Sequence, residues 1–215
     1  MKNIAAINGS PKAKESVSGM LIEKMEQILN TKIDVYQATK LTRLEIASET
    51  IAQILKADIL LIVFPLYVDS LPAPLINLLL RMEQTARTMD LPLPVVYGIC
   101  NCGFYEPEHT RLALRILRNF SLRARLTWGY GIGLGCGGFM QSNIKNMDKG
   151  PTANVYAELN SLGQEISGGA KKHEDVFVTP KIPRFLYKMG GQIGWLQLAG
   201  KNKARNQLGA KPHSL

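Results

Sequence analysis

The chain has 215 residues, of which 46% are hydrophobic and 20% are charged. This apolar content excludes intrinsic disorder. Three cysteines are too few for a fold that disulfides hold together. The net charge of +9 is concentrated at one end, because residues 181–215 hold seven cations and no acid, which leaves 19 of the 26 cations and all 17 acids in residues 1–180. A basic tail on a near-neutral body gives no reason to expect a nucleic-acid partner.

Membrane-spanning and secretory segments are not predicted. The longest uncharged apolar run, Ile59–Val68, has ten residues and is interrupted by Pro65, whereas a spanning helix takes about 20. The first residues contain no signal-peptide core. We therefore expect a cytoplasmic protein with reduced thiols.

Strands and helices are predicted to alternate along the chain. Short apolar or alternating runs predict five strands, at 2–7, 32–36, 58–64, 94–100 and 125–134. Apolar residues at helical spacing predict five helices, at 20–29, 46–55, 71–87, 107–122 and 153–166. A loop is expected between the fifth strand and residue 151. This alternation predicts an α/β fold, a doubly wound five-stranded parallel sheet.

The remaining residues, 181–215, are predicted to form a basic C-terminal helical extension and tail beside a domain at 1–180. A helix is expected at 183–199, but Gly190, Gly191 and Gly194 weaken it in isolation. We therefore expect it to pack on the domain or on a dimer mate, with 200–215 as a polar tail. The alternative is that the segment contacts an anionic membrane.

Ligands of doubly wound folds bind at the carboxyl ends of the strands, which singles out the loops 8–18, 64–70 and 100–106. The first loop offers serine hydroxyls, two lysines (Lys12 and Lys14) and backbone N–H groups beside a helix N-terminus, a combination that suits a phosphate. Lys14-Glu15 stands where a nucleoside-triphosphate loop requires glycine and lysine. The alternative is a polar turn in which Ser16 or Ser18 caps the helix.

Two segments carry a family resemblance. Asn-Gly-Ser-Pro-Lys at 8–12 with Ser-Val-Ser at 16–18, and Pro-Leu-Tyr-Val-Asp-Ser-Leu-Pro-Ala at 65–73, resemble the flavodoxin-like NAD(P)H-dependent FMN reductases over about residues 1–135. The resemblance implies the strand order 2-1-3-4-5, FMN as cofactor and NADPH or NADH as co-substrate. It also implies that the FMN phosphate is held by the first loop, at Ser10, Lys12, Ser16, Val17 and Ser18. Arginine is common in the family where Lys12 stands, and lysine supplies the charge without the fork geometry.

The same resemblance assigns the isoalloxazine ring to the loops after the third and fourth strands. The residues implied are Pro65, Leu66, Tyr67, Val68, Asn101, Gly103 and Phe104. Leu66 and Tyr67 would supply apolar surface, and Asn101 with neighbouring N–H groups would face the pyrimidine edge. The alternative for Tyr67 is that it packs beneath the next helix.

Three other patterns are interpreted as structural. Gly-Leu-Gly-Cys-Gly-Gly at 133–138 matches a dinucleotide fingerprint but follows the last strand, so we interpret its glycines as close approach to the flavin or to a neighbouring loop. Cys100, Cys102 and Cys136 form neither a C-x-x-C motif nor a four-cysteine cluster, and are interpreted as small apolar fillers. His109, His173 and His213 have no metal-ligand spacing, so no metal site is expected.

The sequence thus predicts an FMN-dependent oxidoreductase that accepts hydride from NADPH or NADH and reduces a small acceptor, a flavin, a quinone or similar. No catalytic side chain is expected, because the flavin performs the chemistry. The alternative is a flavodoxin-type electron-transfer protein without its own NAD(P)H turnover, which the basic charge disfavours. Helix 71–87 is apolar on more sides than one sheet face requires, so a homodimer is also expected.

Overall fold

The structure is a computed structural model that describes residues 2–12, 15–41, 47–169, 172 and 174–210. Lys14, Ile46, His173 and residues 211–215, which enter the sequence predictions, lie outside the described residues. The chain divides into two compact units, Met1–Lys181 and Ile182–Leu215.

The first unit is built on a parallel sheet of six strands in the order β2-β1-β3-β4-β5-β6. The strands are β1 (Ile4–Asn8), β2 (Asp34–Gln37), β3 (Ile59–Pro65), β4 (Val95–Asn101), β5 (Thr127–Leu134) and β6 (Val176–Val178). The predicted order 2-1-3-4-5 is therefore correct, but the predicted total of five strands is wrong. β6 continues the sheet by pairing with the carboxyl half of β5, from Ile132 to Leu134. A strand of three half-buried residues is too short to show a periodicity in the sequence.

Helices cover both faces of the sheet. Their bounds are α1 (Val17–Leu29), α2 (Ala47–Leu55), α3 (Ala73–Thr88), α4 (Arg111–Arg123), α5 (Gly137–Asn143) and α6 (Ala153–Ile166). Alternate residues of β3 enter the two resulting cores: Leu60, Ile62 and Phe64 pack with α2, α3 and α4, and Ile59, Leu61 and Val63 pack with α1, α5 and α6. A strand buried on both faces must be apolar at every position, and each fully buried aliphatic side chain contributes roughly 1.5–3 kcal/mol.

The segment after β5, predicted as a loop, begins with the helix α5. Cys136 precedes it in the left-handed conformation with φ of 56°, and Met140 is fully buried in the core beside α1. Gly137 and Gly138 have poor helix propensity, and for this reason the sequence predicted a loop here. Burial of the helix against the core stabilises it in spite of that propensity.

The strand registers bring the candidate loops together. Asn8 lies opposite Val63, Pro65 lies opposite Asn101, and Asn101 lies opposite Leu134. The carboxyl ends of β1, β3, β4 and β5 therefore meet at one edge of the sheet, which includes the switch point where β1 is flanked by β2 and β3.

The described part of the second unit, residues 182–210, contains α7 (Arg184–Lys201) and a short 3₁₀ turn at Arg205–Gln207. None of the residues of α7 is buried. Among the described residues, no helix combines the length and the apolarity that crossing a membrane requires.

Candidate functional site

The three candidate loops are joined to one another by backbone hydrogen bonds at the carboxyl edge of the sheet. The N–H of Gly9 donates to the carbonyl of Val63 at 2.8 Å, and the N–H of Leu66 donates to the carbonyl of Asn101 at 2.8 Å. The chain leaving β1 is thus held against β3, and the chain leaving β3 against β4. The loops form one continuous surface on a rigid support.

Asn8 organises the first loop, although the sequence did not single it out. Its buried side chain accepts a hydrogen bond from the N–H of Ser10 at 3.0 Å and donates to the hydroxyl of Ser16 at 3.3 Å. One asparagine therefore folds the turn after β1 and connects it to the start of α1. The signal for this role was a polar residue ending an otherwise apolar buried strand.

The N-terminus of α1 is open to an anion. Ser16 is its N-cap and accepts hydrogen bonds at its hydroxyl oxygen from Gly19 N–H, at 3.0 Å, and from Asn8. The alternative interpretation, in which Ser16 or Ser18 caps the helix, is therefore confirmed for Ser16, and its hydroxyl hydrogen stays available to donate. Among the described residues no acceptor is found for the N–H groups of Val17 and Ser18, and the first turn of α1 contains no acid. The positive end of the helix dipole is not neutralised by the first turn itself.

Two other predicted phosphate ligands flank this helix end. The hydroxyl oxygen of Ser10, which is buried, accepts a hydrogen bond from the N–H of Lys12 at 3.3 Å, while the Lys12 side chain is exposed. Glu15 also lies beside the cap, but it is exposed, so solvent screens its charge. The structure thus brings Ser10, Ser16 and the first turn of α1 into one polar surface, with Lys12 at its rim.

Asn101 joins the other end of the site to this helix. Its buried amide donates hydrogen bonds to the hydroxyl of Ser18 at 3.0 Å and to the carbonyl of Phe64 at 3.1 Å. The amide nitrogen of Asn101 is therefore used in bonds within the protein. What remains to face the ring is the amide oxygen and the backbone beside it, which narrows the sequence interpretation of this residue.

The loop after β3 is a tight hairpin turn with a strained tip. Tyr67 and Ser70 exchange two backbone hydrogen bonds of 3.0 Å, and Val68 and Asp69 between them have φ of 49° and 56°. Positive φ at both central residues is the geometry of a type I′ turn, which prefers Asn-Gly, and a β-branched residue is a genuine outlier there. Backbone strain of this kind concentrates at functional sites.

Apolar side chains stand exposed on these loops. Tyr67 is 46% exposed, Val68 97% and Phe104 52%, so Tyr67 does not pack beneath α3. Phe104 is placed by a ring contact with His109 at 4.4 Å between centroids. Of the other predicted ring contacts, Pro65 and Leu66 are half-buried and Gly103 is exposed. Together they offer apolar area to a flat ligand next to the polar surface at α1.

The loop after β4 rests on the segment that follows β5. The N–H of Cys136 donates to the carbonyl of Phe104 at 2.7 Å, and Thr179, just after β6, donates to the carbonyl of Tyr105. A Cβ at Gly135 would lie 2.5 Å from that Tyr105 oxygen, and one at Gly137 would lie 2.9 Å from the carbonyl oxygen of Cys102. The interpretation of these glycines as close approach to a neighbouring loop is confirmed for Gly135 and Gly137, but a Cβ at Gly138 would meet nothing within 4 Å.

The cysteines near the site are buried and protonated at neutral pH. Burial raises the pKa of Cys102, and it raises the pKa of Cys136 to about 11, outweighing a hydrogen bond with Thr179 that lowers it. The pKa of Cys100 lies well above its ordinary range, again because of burial. A thiol in this state is a poor nucleophile, which agrees with a role as apolar filler.

A cavity of about 480 Å³ lies at the opposite edge of the sheet, around Lys2, Thr31 and Asp58. Lys2 there donates to the carbonyl of Ile166 at 2.7 Å, and the N–H of Asn3 is bound by Asp58 at 2.7 Å. These polar groups therefore bind the N-terminal segment to the end of α6 and to the residue before β3. We place the functional site at the carboxyl edge instead.

Comparison with known proteins confirms the fold. No protein-family model and no curated protein sequence matches the chain. Solved structures do match: an apo NADH:FMN oxidoreductase with a TM-score of 0.58 and 18% identity, covering 76% of this chain and 88% of that one. An NADPH-quinone reductase from P. pentosaceus gives a TM-score of 0.54 at 13% identity over 79% and 99% of the two chains. The Trp repressor binding protein of Bacillus subtilis gives 0.51 at 17% identity over 68% and 98%. The chain therefore has the fold of the flavodoxin-like FMN reductases that its motifs resemble.

Proposed function

We propose that this protein is an FMN-dependent oxidoreductase that takes hydride from NADPH or NADH and reduces a small acceptor such as a flavin or a quinone. The observation that carries the proposal is the pairing, at one sheet edge, of an open helix N-terminus with exposed apolar side chains on two adjoining loops. Two structural neighbours, an NADH:FMN oxidoreductase and an NADPH-quinone reductase, support the same chemistry.

The polar half of the site fits a phosphate group. The donors are the hydroxyls of Ser10 and Ser16 and the N–H groups of Val17 and Ser18, with the charge of Lys12 at the rim. Converging backbone amides at a helix N-terminus stabilise an anion through hydrogen bonds and the helix dipole. One phosphate surface of this kind favours FMN over FAD, which would need a place for a second nucleotide.

The apolar half fits a flat ring. Tyr67 and Val68 from one loop and Phe104 from the next present exposed apolar surface, which a bound ring would remove from water. The strained turn at Val68 and Asp69 fixes where this surface stands, because its two reciprocal hydrogen bonds lock Tyr67 against Ser70. The rigid β3 and β4 beneath hold both loops in place before any ligand binds.

When bound, FMN supplies the hydride and electron chemistry that protein side chains lack. The chain itself has to bind and orient the cofactor, exclude water from one face of the ring and leave the other face open to substrates. Side-chain acid–base chemistry is not required, and the thiols of Cys102 and Cys136 stay protonated at neutral pH and do not compete as nucleophiles.

The absorption spectrum of the purified protein, followed by identification of the cofactor released by heat, tests the binding half of the proposal. We expect the yellow colour of a flavin, released as FMN at one per chain. Recovery of FAD, or a protein that stays colourless after incubation with FMN, would contradict it. Steady-state oxidation of NADPH and NADH with an added quinone tests the catalytic half.

The same turnover assay separates the proposal from a flavodoxin-type electron carrier. A carrier would bind FMN yet show no steady-state oxidation of either nicotinamide. The charge of the first 180 residues, with 19 cations against 17 acids, does not provide the acidic surface through which such carriers usually meet basic partners. We therefore expect turnover.

A further inference from the structure

One side of α7 is an uncovered apolar surface. Five side chains recur there at helical spacing, and they are exposed between 41% and 67%: Phe185, Leu186, Met189, Ile193 and Leu196. We refer to these five residues as the apolar face of α7. Within residues 182–210, the described part of the second unit, no other element covers this face, since these residues contribute α7 and the short turn at Arg205–Gln207.

Helix α7 also carries an exposed aromatic side chain of the type found at membrane–water interfaces. Trp195 is 70% exposed and lies about 80° around the helix from Phe185, the nearest residue of the apolar face. An indole with an apolar body and one N–H donor is favoured where hydrocarbon meets water.

The charge of this unit is of one sign. Arg184 and Lys188 lie in the first two turns of α7, Lys201 ends the helix, Lys203 and Arg205 follow it, and residues 182–215 contain no acid. A second copy of the same segment would bring two positive units together, and the near-neutral residues 1–180 offer no matching negative excess. The complementary surface is an anionic one.

The glycines of α7 make its helical state dependent on what it binds. Gly190, Gly191, Gly194 and Gly200 lie inside an 18-residue helix. In water such a helix is marginal, because each glycine lowers helix propensity and packing has to supply the stability. Burial of the apolar face against a binding partner would therefore stabilise both the helix and its association with that partner.

We propose that α7 binds in the interfacial layer of an anionic lipid membrane, with its apolar face toward the acyl chains and its cations at the headgroups. An interfacial helix of this type is held by apolar burial together with attraction to anionic lipid, and it lies in the plane of the surface. The proposal concerns the second unit alone and does not depend on the proposed function of the first.

The test is co-sedimentation of the full-length protein with vesicles of phosphatidylglycerol and phosphatidylcholine in equal amounts, against vesicles of phosphatidylcholine alone. We expect at least about tenfold stronger partitioning onto the anionic vesicles, lost on going from about 0.1 M to about 1 M salt, where the Debye length falls from about 10 Å to about 3 Å. In a Trp128→Phe variant Trp195 is the remaining tryptophan of the two, and its fluorescence should shift to the blue on anionic vesicles.

Two matched double variants test whether partitioning depends on the apolar face of α7 or on any exposed apolar side chains. Ile193→Gln with Leu196→Gln removes the centre of the face and should lower partitioning at least about tenfold. Leu91→Gln with Leu122→Gln changes two side chains of the first unit that are more than half exposed, and should leave partitioning unchanged. Lys188→Gln with Lys201→Gln should weaken binding to the anionic vesicles only.

Three outcomes would overturn the proposal. The first is no partitioning, or equal partitioning onto both vesicles. The second is an equal loss in the control double variant. The third is a change without vesicles: if Ile193→Gln with Leu196→Gln shifts the sedimentation coefficient or lowers the melting temperature of the protein, then the face is covered by another copy or by the first unit.

Discussion

The side-chain amide of Asn101 donates a hydrogen bond of 3.0 Å to the hydroxyl of Ser18, across 83 residues of sequence. The same amide donates to the carbonyl of Phe64 at 3.1 Å. Asn101 ends β4, Ser18 lies in the first turn of α1, and Phe64 lies near the end of β3. One buried side chain therefore fixes the helix start that is proposed to bind a phosphate relative to the loops that are proposed to bind a ring.

Asn101→Ala should lower the free energy of unfolding by about 1–3 kcal/mol, because it removes two buried side-chain hydrogen bonds, one to the Ser18 hydroxyl and one to the Phe64 carbonyl. FMN affinity should fall as well, since the three loops lose their common support. Urea denaturation and FMN titration measure the two effects. Gln53→Ala, on the exposed side of α2, is the control and should change neither. Unchanged stability in Asn101→Ala would show that the loops are held by the backbone bonds alone.

Ser10→Ala combined with Ser16→Ala should weaken FMN binding by roughly 1–3 kcal/mol, through lost hydrogen bonds to a charged group. The loss of the Ser16 cap should also lower stability by about 1 kcal/mol, so binding has to be measured where the variant is fully folded. Ser48→Ala, on the exposed surface of α2, serves as the control. If the double variant bound FMN as tightly as the original chain, the phosphate would have to lie elsewhere.

The five long strands and the helices between them were predictable because burial dictates their sequences. β3 lies between two cores and must be apolar at every position, and α1 and α6 each bury one side. β6 and α5 were missed because three half-buried residues and a Gly-Gly start carry no periodic signal, and both are specified by the neighbours they pack against.

The candidate site was predictable only in its location. The carboxyl edge follows from strand order, and the residues of the loops follow from the family resemblance. The role of Asn8 was not predictable, because it depends on the side chain turning back onto Ser10 and Ser16. Thr179 was missed since its partner, the carbonyl of Tyr105, becomes a neighbour only once β6 joins the sheet.

The protein should lose stability in alkali through its buried thiols. Burial raises the pKa of Cys136 from its ordinary 9.0 to about 11, so the folded state holds this proton more tightly than the unfolded state. Below pH 9 both states are protonated and the thiol has no effect. Between about pH 9 and pH 11 the unfolded state loses its proton first, and the free energy of unfolding should fall by roughly 2 kcal/mol from this group. The pKa values of Cys100, Cys102, Tyr97 and Tyr130 are raised as well and act in the same direction.

Urea denaturation at a series of pH values from 7 upward measures this decline. Cys136→Ala should make the decline shallower, because it removes one proton from the difference between the two states. A stability that stays constant up to pH 11 would mean that the thiols are not protected from ionisation in the folded state.

The groove between α3 and α4 supports the expectation of a homodimer. It has a volume of about 210 Å³ and is lined on its apolar side by Ile76, Leu79, Leu80, Ile116 and Phe120. Ile76 and Leu80 are exposed at its rim. A stable interface buries about 800 Å² on each partner, so a lysine at Leu80 would carry an unpaired charge into that interface and should prevent association. Leu80→Lys should therefore sediment as a monomer at micromolar concentration where the original chain sediments as a dimer.

The control for this substitution is Leu91→Lys, an exposed leucine on the loop that follows α3. It adds the same charge outside the groove and should leave the dimer intact. A monomer in the original chain, or equal dissociation by both substitutions, would contradict an interface at the groove.

The glycines after β5 allow a test within a single motif. An added Cβ at Gly135 would lie 2.5 Å from the carbonyl oxygen of Tyr105 and would also meet the Thr179 hydroxyl that binds this oxygen, whereas a Cβ at Gly138 would meet nothing within 4 Å. Gly135→Ala should therefore destabilise the protein by about 1–3 kcal/mol through overpacking and move the loop that carries Phe104, so that FMN affinity falls too. Gly138→Ala lies in α5 and should be neutral or up to about 1 kcal/mol stabilising, with FMN affinity unchanged.

Thermal unfolding and FMN titration of the two variants side by side measure the contrast. Equal behaviour of the two would mean that the loop after β4 can shift without cost, and that the site is less rigid than its hydrogen bonds indicate.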